Sequence, residues 1–194
     1  MNRFFEKHRD EYEFKVVTGG MVRGEHAGAI GEKAEFLNEA YPRVEEMTGV
    51  KFGERFFERL KEGSTVFGSD LPSLVFHAIS GKLPREGVRI AKAIQSGIYA
   101  EGIAPMDIQT YSSVAKQFDV TLDELETLIE SEEVKEAYTM DLYMTQQFGI
   151  SGFPFAVISL DGEYYQLAKG YRSEEDLEVV LGKALEYHAS RVGP

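Results

Sequence analysis

Cysteine is absent from all 194 residues. That excludes disulfides, thiolate metal sites, iron–sulfur ligation and any cysteine nucleophile or redox pair within this stretch of polypeptide. Long hydrophobic runs are also missing: none approaches the ~20 residues that span a bilayer. The opening Met1-Asn2-Arg3-Phe4-Phe5-Glu6-Lys7-His8 is charged and amphipathic, without the apolar centre of a signal peptide. Positive charge is in deficit, with 21 Lys and Arg against 33 Asp and Glu and a net charge of −12. Such a surface repels nucleic acid and anionic membranes, so neither is expected as the main partner. A cytoplasmic protein is the resulting expectation. The hydrophobic share, 43%, suffices for a real core and argues against wholesale disorder. The length fits one domain, or one domain carrying a large insertion.

Periodicity orders the chain. Met1 to Arg9 has the composition of a helix. Glu13 to Thr18 alternates polar and apolar residues and predicts a strand, stopped by Gly19-Gly20. From about Glu32 to Phe148 the pattern is helical. Ala34, Leu37 and Tyr41 share a face, with Pro42 marking a kink or junction. Phe52 to Leu60 is a short amphipathic piece. Ser69 or Asp70 caps a helix with Pro72 in its first turn, ending near Gly81. Val88, Ala91, Ile94 and Ile98 form a further stripe. Thr121 with Glu124 is a capping box, and Ser131 opens another helix closed by Gly149. Phe155–Leu160 and Glu163–Ala168 are strand-like runs joined by Asp161-Gly162, the pair a type I′ hairpin turn favours. The more apolar first run is expected inside and the second nearer the edge. Ser173 with Asp176 then caps a last helix.

The chemistry-bearing residues are sparse. Ser151-Gly152-Phe153-Pro154 stands just before a strand, where X-Pro can form a tight turn that exposes backbone; a strand-entry proline with no chemical role is the simpler reading of the residues alone. Thr18 to Gly24 is a glycine-rich loop after a strand, but it lacks the spacing of a phosphate-binding loop, and a structural role is favoured. His8, His26, His77 and His188 lie far apart and read as isolated or satisfied histidines rather than metal ligands, with His77 at the edge of a core. The acidic runs Glu124–Glu136 and Glu174–Glu178 suit helix N-termini. No Ser-His-Asp set or paired catalytic carboxylate stands out.

Three stretches together resemble the DsbA-like thioredoxin-fold family, in its FrnE-like protein-disulfide isomerase branch. They are FKVVTGGMVRGEHAGAIG (14–31), YPRVEEMTGVKFG (41–53) and FGISGFPFAVI (148–158) with QLAKGY (166–171) behind it. The most specific element is Gly152-Phe153-Pro154, which resembles the family's cis-proline loop. The resemblance implies an α/β fold: a small thioredoxin-like sheet, residues 1–24 and 149–194, interrupted by a helical subdomain, residues 25–148. It further implies that Gly152, Phe153 and Pro154 line a groove for a peptide or thiol-containing protein substrate, with Gly19, Gly20 and Met21 near it. The family's usual Val and Thr on either side of the proline are Phe153 and Phe155 here, which makes that groove bulkier.

In the family a first strand and a Cys-x-x-Cys precede the first helix, whereas Met1 to Arg9 resembles the back half of that helix. The resemblance sets the missing strand between Phe14–Thr18 and Phe155–Leu160. Its loss leaves a gap of about two strand spacings, each ~4.8 Å, which unpaired backbone makes untenable. The expectation is therefore a native segment upstream, the start assigned too far downstream or the chain trimmed. Otherwise the strands close up or another chain donates one. As it stands the chain is expected to be redox-inactive, with no catalytic residue, cofactor or metal of its own. Two other readings remain: a glutathione-dependent relative similar to kappa-class transferases or 2-hydroxychromene-2-carboxylate isomerases, and a non-catalytic scaffold binding a peptide beside Pro154. An exposed strand edge also makes a homodimer an expected partner arrangement.

Overall fold

A computed structural model describes residues 1–192 and divides the chain into two compact units, Glu13–Met144 and Met1–Tyr12 with Thr145 onward. Residues 13–24, expected with the termini, belong to the helical unit, and residues 145–148, expected in the insertion, belong to the other.

The helical unit carries a two-residue ladder, β1 (Gly28–Ala29) antiparallel to β2 (Val66–Phe67). Around it run α2 (Ala34–Thr48), α3 (Glu54–Glu62), α4 (Asp70–Lys82), α5 (Gly87–Tyr99), α6 (Ser112–Lys116), α7 (Leu122–Ile129) and α8 (Glu132–Gln147), the last of which passes into the other unit at Thr145. The stripes read from sequence form its core: Val75, Ile79, Ile90, Ile94, Ile98, Tyr111, Val114 and Leu125 are buried together. A second cluster, Ile30, Phe56 and Leu60, is covered by Leu37, Phe52, Phe57 and Tyr99. Capping follows local chemistry: the Glu124 N–H donates to Thr121 Oγ1 at 3.2 Å, and the Val134 N–H to Ser131 Oγ at 3.3 Å. α2 continues past Pro42, so no junction between helices falls there.

The expected strand at Glu13–Thr18 is not formed; residues 13–20 take no regular secondary structure. A strand needs a ladder partner for its backbone, and here a side chain takes that place. The Thr18 N–H donates to the Asp141 carboxylate at 2.6 Å.

The other unit holds α1 (Asn2–His8), the hairpin β3 (Phe155–Leu160) and β4 (Glu163–Lys169), and α9 (Glu174–Val192). Asp161 and Gly162 both have positive φ, 51° and 84°, as a type I′ turn requires. The strand burial reverses expectation. Leu167 and Ala168 of β4 are buried, while no residue of β3 is, because α9 packs against β4. The Asp176 N–H donates to Ser173 Oγ at 3.0 Å at the start of α9. α1 lies against α9, where Lys7 Nζ and His8 Nε2 each approach Glu178 Oε1 at 2.8 Å. No helix among the described residues is long and apolar enough to cross a membrane.

Candidate functional site

The segment Ser151–Pro154 leads directly into β3, and its Phe153–Pro154 peptide bond is cis. The Pro154 carbonyl is held at the base of the hairpin by the Gly170 N–H at 2.8 Å, with Gly170 at φ 83°. Phe155 then pairs with Lys169, and the ladder continues to Leu160–Glu163 with one irregularity between Ala156 and Val157. The loop is open to solvent. Nothing lies within 4 Å of where a Gly152 side chain would begin, and Phe153 is 38% exposed. Among the described residues β3 pairs with β4 alone. One side of an uncharged six-residue strand, continuous with the proline loop, is thus left without a ladder. Such an edge offers its N–H and C=O groups to an extended chain.

Gly19, Gly20 and Met21 belong to the helical unit, whereas Gly152, Phe153 and Pro154 belong to the other. The glycine loop is stitched down at both ends. On one side the Asp141 Oδ2 accepts from the Thr18 N–H, from the Thr18 hydroxyl at 3.0 Å and from His77 Nε2 at 3.0 Å. On the other, the Val22 N–H donates to Ser69 Oγ at 3.0 Å and the Ser69 N–H to the Val22 carbonyl at 2.8 Å. Ser69, read as a helix cap, spends its hydroxyl on this loop instead. Arg23 Nε and the Tyr138 hydroxyl both donate to Asp70 Oδ1, at 2.7 and 2.8 Å, and the guanidinium lies over the Tyr138 ring. Burial, then the bond to Asp70, holds the Tyr138 phenol well above its ordinary range. Gly20 has φ 57°, and a Cβ there would sit 2.5 Å from Leu142 Cδ2. Met21, between the two anchors, projects into solvent.

The buried His77–Asp141 pair was not foreseen. Its only trace in the sequence is a carboxylate on the apolar side of α8, beside Tyr138 and Leu142. Among the described residues no group of three or more His, Asp or Glu side chains converges as a metal site. The arrangement holds loops and exposes backbone; with no thiol in the sequence it contains no group for sulfur exchange.

The family description DSBA-like thioredoxin domain matches residues 68–182. A search of curated proteins returns no match. Among solved structures, one from Nitrosomonas europaea described as a “putative protein disulfide isomerase” is 23% identical, with 96% of this chain and 90% of that one covered and a TM-score of 0.76. The cytosolic disulfide reductase DsbM from Pseudomonas aeruginosa is 20% identical, with coverage of 89% and 84% and a TM-score of 0.73. The same reductase solved with GSH superposes with a TM-score of 0.70. At these identities the likeness to solved structures is one of fold.

Proposed function

This chain belongs to the DSBA-like thioredoxin-domain family, and from that premise we propose that it is the peptide-holding part of a thiol–disulfide oxidoreductase system. In the chain as it stands, the loop Gly152–Phe153–Pro154 and the open side of β3, the side that the resemblance gives to the absent first strand, receive an extended segment of a thiol-containing protein. Backbone N–H and C=O groups of β3 bond that segment as an added strand, and Phe153 and Phe155 contribute apolar contact beside it. Sulfur exchange requires a thiolate attacking a disulfide sulfur. These 194 residues contain none, so their own contribution is to bind and align. The observation that supports this reading most is the continuity of an exposed Gly-Phe-Pro loop with an uncharged strand edge, inside the region matched to the family. A cytosolic setting belongs to the same reading, supported by the likeness to a cytosolic reductase.

Two assays test it together. In an insulin-reduction assay driven by a small dithiol, the chain is expected to give no rate above the uncatalysed background. Fluorescence anisotropy with an extended, alkylated cysteine peptide should show binding that Phe153→Ala weakens by roughly 5- to 10-fold, the scale of one lost aromatic contact. Turnover by the cysteine-free chain, or peptide affinity indifferent to Phe153, would contradict the proposal.

A further inference from the structure

A recess of about 300 Å³ opens between the end of α3, the start of β2 and residues 104–107, all within the helical unit. Its walls are tied down. The Gly63 N–H donates to the Arg59 carbonyl at 2.8 Å and closes α3, with Gly63 at φ 79°. Ahead of β2, the Ile30 N–H donates to the Thr65 carbonyl at 2.8 Å. The Asp107 N–H donates to the Ala104 carbonyl at 3.0 Å, and the Thr110 hydroxyl reaches the carbonyls of both residues. Arg59 lines the recess and is itself held: its Nε donates to the Gly102 carbonyl and its Nη1 to Thr65 Oγ1 at 3.4 Å. Both acceptors are neutral, and among the described residues Arg59 makes no ion pair. A guanidinium fixed by neutral acceptors keeps its remaining N–H groups for an anion.

Two carboxylates line the same recess, Glu62 and Asp107. Glu62 Oε1 accepts from the Ser64 hydroxyl at 2.8 Å and Asp107 Oδ1 from the Gln109 N–H at 3.1 Å, but among the described residues neither pairs with a cation. Opposite charges that share a recess without closing on each other suit a ligand that carries both. Val66, 50% exposed, and Met106, 37% exposed, add an apolar wall. We propose that this recess binds a free α-amino acid with an apolar side chain of methionine or leucine size. Arg59 takes the carboxylate, Glu62 and Asp107 take the ammonium, and Val66 and Met106 contact the side chain. A phosphate would meet two uncompensated carboxylates here, and a polyamine would meet the guanidinium. An internal peptide segment offers neither charged group. The volume lies at the small end of ligand sites, as a single amino acid requires. Both carboxylates are exposed to water, so binding is weak, with a Kd of about 0.1–1 mM.

Titration of the isotopically labelled full chain with L-methionine, followed through backbone amide shifts, tests this. Saturable shifts are expected at residues 64–66 and 106–107. N-acetyl-L-methionine lacks the ammonium and L-methionine amide lacks the carboxylate; each should bind about tenfold more weakly or worse. Arg59→Gln should weaken L-methionine binding about tenfold, and Glu62→Gln with Asp107→Asn together by a similar factor. The two carboxylates are exposed, so the denaturation midpoint of that double variant should match the parent. It keeps the test open if Arg59→Gln, which gives up the bond to Gly102, fails to fold. No saturable shift at these residues up to ~20 mM L-methionine would overturn the proposal. So would equal affinity for the N-acetylated compound, or an affinity unmoved in the folded double variant.

Discussion

Asp141 is a residue on which polar contacts of the helical unit converge. It is 3% exposed, and one of its oxygens accepts from the Thr18 amide, the Thr18 hydroxyl and His77. Asp141→Ala would strand these donors in the interior, each unsatisfied group costing ~1–3 kcal/mol. A loss of about 2–4 kcal/mol is expected in urea titration, with faster hydrogen exchange at the Thr18 amide. Asp141→Asn keeps the shape and one acceptor, and should lose less. Gly53 is a second sensitive position: a Cβ there would lie 1.8 Å from the Ala100 carbonyl oxygen, while its N–H donates to the Tyr99 carbonyl at 2.9 Å. Both partners are backbone and cannot rotate away. Gly53→Ala should destabilise by ~1–3 kcal/mol or more, read as a lower denaturation midpoint. Residues of these two kinds differ in how visible they are before folding. The caps at Thr121, Ser131 and Ser173 act on amides three residues away, so the sequence displays both partners. Asp141 and His77 lie 64 positions apart, and only packing of α4 against α8 reveals the pair.

Among the elements, α1 is fastened to α9 by electrostatics as well as by packing. Lys7 first, and His8 second, hold the Glu178 carboxyl below the ordinary carboxylate range. A depressed carboxylate stabilises the folded state above its unfolded value and ceases to do so as pH falls through the folded one. The electrostatic part of the α1 attachment should therefore persist at neutral pH and be lost on acidification below the usual carboxylate range, leaving the packing of buried Phe4 and Phe5. Amide exchange along Asn2–His8 should rise there in the parent, whereas Glu178→Gln should show the faster exchange already at neutral pH. Helices were legible because their stripes and caps are local, and the hairpin because Asp161-Gly162 specifies its turn. The strand expected at Glu13–Thr18 shows the opposite case. Alternation records only which side chains face apart, while a strand exists by virtue of its neighbour. Burial of the hairpin was misjudged for a related reason: β3 is more apolar than β4, but the element that covers a strand is α9, and it packs along β4.

At the scale of the whole chain, the sequence order was enough to foresee a large helical block ahead of a small hairpin sheet and a last helix, and the match over residues 68–182 agrees with the expected DsbA-like class. The boundary was harder to read, because residues 13–24 look like sheet in composition and are tied to the helical unit by Asp141, Ser69 and Asp70. Of the candidate groove, Gly152–Pro154 was expected from the resemblance to the family's cis-proline loop, whereas the residues alone favoured a strand-entry proline without a chemical role. The open side of β3 was expected only through the same resemblance, which sets an absent strand beside Phe155–Leu160; local pattern does not show it, since a missing ladder partner leaves no mark there. The account turns on whether that edge and loop take an extended peptide. A backbone amide chemical-shift map of the isotopically labelled chain, titrated with an alkylated cysteine peptide, tests this most directly. Perturbations should concentrate at Gly152, Phe153 and Phe155–Leu160. Shifts confined to other surfaces, with the loop and β3 unmoved at saturation, would contradict it.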